Sequence, residues 1–202
     1  MNLPNKITLT RICLIPVFAV VFLVEAIPYR GLIACGIFVL AACTDFLDGH
    51  IARARGLVTD LGKFLDPIAD KVLVSTALIL LLCRPSAWDF LELGGWLPAA
   101  LGVCVALILA REQIVSGLRM VAAAKGVVLA ADLSGKIKTT VQDIAVAALL
   151  AAADLYALHG LTGTVVCAVG LIGIALATVL TVWSGVVYLV KNRNVLKEKS
   201  EE

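Results

Sequence analysis

The chain carries little charge for its length. Only 16% of its 202 residues are charged, 6% are aromatic and two are histidines, whereas average protein composition includes about 25% charged residues. With 61% hydrophobic residues and a mean hydropathy of +1.01, this shortage excludes an ordinary soluble domain. The net charge is only +2, so nothing in the composition indicates a nucleic-acid partner.

Paired cysteines are also missing. The six cysteines stand singly in apolar surroundings, with no close pair and no histidine beside them. We therefore interpret them as buried small hydrophobic residues rather than as a disulfide framework or a zinc site. They are Cys13, Cys35, Cys43, Cys83, Cys104 and Cys167.

Long apolar runs are abundant, and they predict an all-α, polytopic membrane protein with a single domain over residues 1–202. Helices are expected because hydrocarbon offers no hydrogen-bond partner to an open backbone, and a span needs about 20 mostly apolar residues. The first run lacks a convincing cleavage site, so we take it as a span and not as a signal peptide. Six spans are predicted, at roughly 8–27, 31–49, 67–83, 96–119, 139–158 and 162–190.

The basic residues predict the orientation of this bundle. If both termini are cytoplasmic, 15 of the 17 lysines and arginines lie on that side, and only Arg30 and Arg84 lie outside. Cytoplasmic loops of membrane proteins carry such an excess of lysine and arginine. We therefore predict six transmembrane helices in one bundle, with both termini in the cytoplasm.

Four aspartates interrupt the apolar pattern where the second span ends and the third begins. Asp45 and Asp48 are three residues apart, and Asp66 and Asp70 are four apart, with Pro67 expected as the first residue of the third helix. Carboxylates at membrane depth are costly and need compensation. Their oxygens suit Mg²⁺ or Mn²⁺, and two ions sharing them would assist displacement at phosphorus. Cation transport and structural ion pairing remain the alternatives.

Basic residues cluster around the end of the fourth span and the start of the fifth. They are Arg111, Arg119, Lys136 and Lys138. One interpretation is a topology signal that also attracts anionic lipid. The other is a pocket for an anionic substrate group.

A polar strip marks the beginning of the first span. Asn5, Thr8 and Arg11 recur every three residues and so share one helix face. The strip is either a helix cap with an arginine that reaches toward water, or a polar surface that faces the aspartates.

The pattern D-x2-D-G-x2-A-R-x8-G-x3-D-x3-D fits this chain without a departure. It is made by Asp45, Asp48, Gly49, Ala52, Arg53, Gly62, Asp66 and Asp70. This pattern resembles the signature of the CDP-alcohol phosphotransferases, integral membrane enzymes of phospholipid synthesis. The segments NLPNKITLTR, REQIVSGLRMVAAAKG and SGKIKTT are similar to the bacterial branch whose acceptor is sn-glycerol 3-phosphate.

The resemblance implies a homodimeric enzyme of the bacterial inner membrane with its active site facing the cytoplasm. Such an enzyme transfers the phosphatidyl group of CDP-diacylglycerol to an alcohol and releases CMP. Inositol phosphate or another alcohol remains an alternative acceptor, and outside the enzyme class the alternative is a cation-coupled transporter.

The resemblance also assigns roles to individual residues. The metal ligands for Mg²⁺ or Mn²⁺ would be Asp45, Asp48, Asp66 and Asp70, and Asp70 would also be the general base. The nucleotide would be bound by Asn5, Gly49, Ala52, Arg53 and Gly62. The charge of a phosphorylated acceptor, rather than the signature, indicates which residues would bind its phosphate: Thr8, Arg111, Arg119, Lys136 and Lys138.

Overall fold

All regular structure in the described part of the chain is helical. The computed structural model describes residues 3–55, 60–84, 88, 90–91, 95–127 and 133–193, without the side chains of 3–6, 45–55, 60–61, 63–64, 66 and 133–136. Its helices are α1 (Leu3–Leu23), α2 (Arg30–Arg55), α3 (Asp60–Leu82), α4 (Trp96–Ala124), α5 (Leu133–Leu158) and α6 (Gly160–Lys191). The predicted all-α class is confirmed.

The helices around the aspartates are longer than predicted. Helix α2 continues beyond 49 to Arg55, because the alanines and arginines of this segment favour a helix. Helix α3 begins at Asp60, so the prediction that Pro67 is its first residue is wrong. An interior proline removes one backbone hydrogen bond, and membrane helices tolerate that loss when neighbouring groups compensate.

Within the described residues, three helices are long and apolar enough to cross a membrane by themselves. They are Trp96–Ala124, Ile137–Leu158 within α5, and Gly160–Lys191, and shorter apolar segments occupy Ile7–Leu23 and Arg30–Thr44. Large aliphatic and aromatic side chains lie exposed along α6, among them Val165, Val179 and Trp183. Such a face suits lipid, so the chain is a membrane protein. The count of six spans and the cytoplasmic termini stay predictions.

The chain forms two compact units, and the last two helices contribute to both. Unit 1 comprises Met1–Gly94 and Val146–Gly170, and unit 2 comprises Gly95–Ala145 and Leu171–Glu202. The first half of α5 therefore belongs to unit 2 and its second half to unit 1, whereas α6 belongs to unit 1 as far as Gly170 and to unit 2 from Leu171 onward. The prediction of one domain over residues 1–202 stays a prediction.

Unit 1 is built around α1, which contacts both α2 and α3, while α2 also contacts α3. Phe18 on α1 is fully buried, with its ring centroid 6.4 Å from that of Phe22 and 6.2 Å from that of Phe38 on α2. Ala34 and Ala41 lie one turn on either side of Phe38 and are also buried. Small residues between aromatic ones let α1 and α2 pack closely.

A carboxylate from α5 anchors the start of α2 in unit 1. The backbone N–H of Leu32 donates to Oδ2 of Asp154 at 2.9 Å. Leu32 lies in the first turn of α2, where backbone N–H groups have no partner within the helix.

Desolvation lowers the pKa of Arg84, with Arg30 acting in the same direction and Asp154 and Glu25 opposing it. The two arginines predicted outside the membrane therefore lie at one end of this unit.

The cysteines are less buried than predicted. All six are unpaired, which agrees with the absence of a disulfide framework, but only Cys167 is buried. Cys13, Cys43 and Cys83 are exposed. Apolar neighbours in sequence did not imply burial here, because the outer faces of membrane helices are apolar as well.

Candidate active site

The aspartates occupy two helices of unit 1 that contact each other. Positions 45 and 48 lie about one turn apart on α2, and positions 66 and 70 lie about one turn apart on α3. The side chains of several predicted site residues lie outside the described residues: Asn5, Asp45, Asp48, Gly49, Ala52, Arg53, Asp66 and Lys136. Their roles therefore stay predictions.

Asp70 and Gly62 are the two residues of the signature whose side-chain positions are described. Asp70 is partly buried next to the fully buried Ala69, and Gly62 is buried. Among the described side chains, no group of three acidic, histidine or cysteine residues comes together. Because only Asp70 of the four aspartates belongs to that set, the metal site is not tested by this observation.

The two described members of the polar strip on α1, Thr8 and Arg11, face the protein interior. Thr8 and Arg11 are each only 1% exposed. A buried guanidinium is costly unless charged or polar groups surround it, so the interpretation of Arg11 as an arginine that reaches toward water is wrong. Arg11 is a functional candidate that the resemblance did not assign, and its three-residue spacing from Thr8 was the signal for it.

In unit 2, Arg111 contacts Glu112, its neighbour on α4, and Ser184 on α6. Its Nη1 donates to Oε1 of Glu112 at 3.2 Å, and its Nη2 donates to Oγ of Ser184 at 3.1 Å. A Cβ atom on Gly185 would lie 2.8 Å from Cγ of Arg111. Glycine at 185 therefore leaves the space that the arginine side chain occupies.

Arg119 also contacts α6, two turns farther along α4. Its Nε donates to the hydroxyl of Tyr188 at 3.1 Å, and its guanidinium carbon lies 5.5 Å from the centre of that ring. The ring itself is buried with Val115 and Leu118 of α4. Arg119 thus gains both a hydrogen bond and a cation–π contact.

Lys138 on α5 is more buried than Arg111 or Arg119, with 2% of its surface exposed. Its Nζ donates to Oε1 of Glu112, the same oxygen that Arg111 contacts. The structure therefore brings Arg111 and Lys138 together, as the sequence predicted, and adds a carboxylate between them. We refer to Arg111, Glu112 and Lys138 as the cation clamp.

Several buried polar atoms around the clamp have no hydrogen-bond partner among the described residues. They are Nε of Arg111, Oε1 of Gln142 and Oγ1 of Thr181. Gln142 lies one turn beyond Lys138 on α5, and Thr181 lies three residues before Ser184 on α6. Buried polar groups normally have partners, so these atoms are free to bind a polar ligand or water.

A model of the family "CDP-alcohol phosphatidyltransferase" matches residues 1–190. The chain belongs to this family. It is 42% identical, over 97% of both chains, to a Bacillus subtilis protein named "CDP-diacylglycerol--glycerol-3-phosphate 3-phosphatidyltransferase", and 37% identical, over 98% of both chains, to a Sodalis glossinidius protein of the same name. It is also 36% identical to a rice "Cardiolipin synthase (CMP-forming)", over 97% of this chain and 59% of the rice protein.

Membership of the CDP-alcohol phosphatidyltransferases makes this chain a phosphatidyltransferase enzyme. It favours catalysis over cation transport and over structural ion pairing as the role of the aspartates. The bacterial and rice relatives carry different names at similar identity. Overall similarity is thus a weak guide to the acceptor, and the residues that contact it must be considered separately.

In this CDP-alcohol phosphatidyltransferase, the sequence did not predict which side chains contact the basic residues. Glu112, Ser184, Gly185 and Tyr188 were not predicted as site residues, because α6 seemed to offer only hydrophobicity. One signal was present. Hydroxyl-bearing side chains recur at Thr178, Thr181, Ser184 and Tyr188, every three or four residues, and all four are buried.

Proposed function

We propose that this enzyme transfers the phosphatidyl group of CDP-diacylglycerol to sn-glycerol 3-phosphate, giving phosphatidylglycerophosphate and CMP. The observation that carries the choice of acceptor is the cation clamp, where two cations share one oxygen of Glu112. Among the described residues these contacts pair one carboxylate with two cations, which leaves positive charge in a largely buried place. A phosphorylated acceptor would neutralise that charge, whereas a neutral alcohol would not.

In this proposal the described basic residues bind and orient the acceptor. Arg111, Arg119 and Lys138 contact its phosphate, with Lys136 and Thr8 as further candidates. Fixing the phosphate places the primary hydroxyl for attack and lowers the entropic part of the barrier. The arginines suit this task because a planar guanidinium can bind two phosphate oxygens at once.

Asp70 receives the proton of the acceptor hydroxyl. The acceptor oxygen then forms a bond to the phosphorus that carries the diacylglycerol. The bond from that phosphorus to the oxygen bridging to CMP breaks, and CMP leaves with that oxygen. Asp70 lies partly buried on α3, and a carboxylate within hydrogen-bond reach of a hydroxyl can accept its proton. Asn5, Gly49, Ala52, Arg53 and Gly62 are proposed to surround the nucleotide.

A divalent metal site fits the residues present. Four aspartate positions on two contacting helices supply the hard oxygen ligands that Mg²⁺ and Mn²⁺ prefer. Asp45, Asp48, Asp66 and Asp70 would hold two ions. When bound, the ions supply charge neutralisation at the pyrophosphate and at the leaving oxygen.

The remaining proposals concern location and assembly. Fifteen of 17 lysines and arginines fall on one side of a six-span arrangement, which supports cytoplasmic termini and an active site at the cytoplasmic face. The family resemblance supports a homodimer in the bacterial inner membrane.

The test is an acceptor panel with purified protein, CDP-diacylglycerol and Mg²⁺ or Mn²⁺, measuring CMP release and the lipid product. Release with sn-glycerol 3-phosphate is expected. Release with inositol phosphate or a neutral alcohol alone would overturn the acceptor assignment, and no release with any acceptor would overturn the enzymatic proposal.

A further inference from the structure

Glu112 occupies an unusual position in the cation clamp. Lys138 Nζ and Arg111 Nη1 both donate to its Oε1, although Lys138 lies 26 residues away on another helix. The Glu112 side chain keeps 24% of its surface exposed, whereas that of Lys138 keeps 3%. The Glu112 carboxylate is therefore more exposed to solvent than either of the two cations that it contacts.

The two cations depend on this carboxylate to different degrees. Arg111 is fixed at both terminal nitrogens, because Nη2 also donates to Ser184. For Lys138, Glu112 is the hydrogen-bond partner that the described structure gives. A lysine stem has four rotatable bonds, so one partner decides where its ammonium group lies.

We propose that Glu112 is a positioning residue for the acceptor phosphate. It does not contact the acceptor. It holds Lys138 and Arg111 at a fixed separation, so that their remaining N–H groups donate to oxygens of the same phosphate. This inference rests on the proposed function, since it needs an acceptor that carries a phosphate.

The physical argument is preorganisation. Ordering a long side chain at the moment of binding reduces affinity, and prior ordering removes that cost. A carboxylate beside cations could instead compete with the incoming phosphate. The two roles predict opposite signs, because losing a positioning group raises the acceptor KM, whereas losing a competitor lowers it.

The experiment compares Glu112→Gln, Glu112→Asp and Gln113→Ala with the unmodified protein in the CMP-release assay. Glu112→Gln keeps the shape and removes the charge. We expect it to raise the acceptor KM about 10-fold or more, the size expected when a hydrogen bond to a charged group is weakened, while the KM for CDP-diacylglycerol and kcat stay within about twofold.

The conservative variant and the control separate positioning from general structure. Glu112→Asp keeps the charge with a shorter reach, so its acceptor KM should fall between those of the unmodified protein and Glu112→Gln. Gln113 is the exposed neighbour of Glu112 on α4, and Gln113→Ala should leave both KM values unchanged.

A double variant keeps the proposal testable if Glu112→Gln folds poorly. In Lys138→Met/Glu112→Gln both members of the buried pair are neutral. If Glu112 acts chiefly through Lys138, the second change should raise the acceptor KM of Lys138→Met less than about threefold, which is a non-additive result. A full additional increase would overturn the action through Lys138.

Failure of this proposal is distinguishable from failure of the proposed function. If the unmodified protein releases no CMP with any acceptor, both fail. If it turns over sn-glycerol 3-phosphate normally and Glu112→Gln leaves the acceptor KM unchanged or lowers it, only the positioning role of Glu112 is overturned. An equal rise in both KM values would overturn it as well.

Discussion

Arg119 on α4 and Tyr188 on α6 form a hydrogen bond of 3.1 Å between Nε and the phenol hydroxyl, with the guanidinium carbon 5.5 Å from the ring centre. The two residues lie 69 positions apart in the sequence. This pair connects the far end of α6 directly to a predicted phosphate-binding residue.

Removing only the hydroxyl tests this connection. Tyr188→Phe keeps the buried ring against Val115 and Leu118 but leaves Arg119 Nε without that acceptor. We expect the acceptor KM to rise about 3- to 10-fold, since one net hydrogen bond is worth about 1 kcal/mol. Tyr156→Phe is the matched control, because Tyr156 stacks on Phe90 in unit 1. Equal acceptor KM values for the two variants would contradict the role of Tyr188.

The space beside Gly185 gives a second prediction. A methyl group there would lie 2.8 Å from Cγ of Arg111, so we expect Gly185→Ala to shift this side chain and to weaken its hydrogen bond to Ser184. We expect a several-fold rise in the acceptor KM. At Gly102 on the same helix as Arg111, an added Cβ meets nothing within 4 Å, and Gly102→Ala should leave the kinetics unchanged. A kinetically silent Gly185→Ala would show that Arg111 tolerates displacement.

The helices and the proximity of Arg111 and Lys138 could be predicted from the sequence, for a local reason. Apolar runs need a helical backbone in hydrocarbon. The residues of the signature can be recognised from their spacing along the chain. Arg111 and Lys138 were correctly expected to lie together because both flank one connection between neighbouring helices.

The partners of these cations could not be predicted in the same way. Arg111 meets Ser184 across 73 residues, and no local pattern records which turn of α6 lies against α4. Glu112 was visible next to Arg111, but its contact with Lys138 depends on how α5 packs beside α4. The early start of α3 was missed because Pro67 is favourable at a first turn and only unfavourable, not forbidden, farther inside.

Asp154 gives a prediction about the stability of the fold, and not about catalysis. Its carboxylate accepts the Leu32 N–H at the start of α2, so Asp154→Ala leaves this backbone group without an acceptor. We expect a loss of about 1–3 kcal/mol in the free energy of unfolding. Asp154→Asn keeps a carbonyl oxygen and should lose less. Thermal unfolding in detergent measures both, and an unchanged melting temperature in Asp154→Ala would contradict the anchoring role.

Metal dependence is tested by chelation. Stripping divalent ions with EDTA should abolish CMP release, and Mg²⁺ or Mn²⁺ added in excess should restore it. Asp45→Asn should require a higher metal concentration for half-maximal activity, because a neutral amide is a weaker ligand than a carboxylate. Full turnover in the chelated protein would show that the four aspartates serve another purpose.

Asp70→Asn separates the two roles proposed for this aspartate. Loss of a general base lowers kcat by about 100- to 10,000-fold, whereas loss of a metal ligand is compensated at high metal concentration. We therefore expect kcat to stay low at saturating Mg²⁺ or Mn²⁺, with binding of CMP retained within a few-fold by calorimetry. Asp60→Asn, at the start of the same helix, is the control and should turn over normally. Recovery of kcat at high metal would assign Asp70 to metal binding alone.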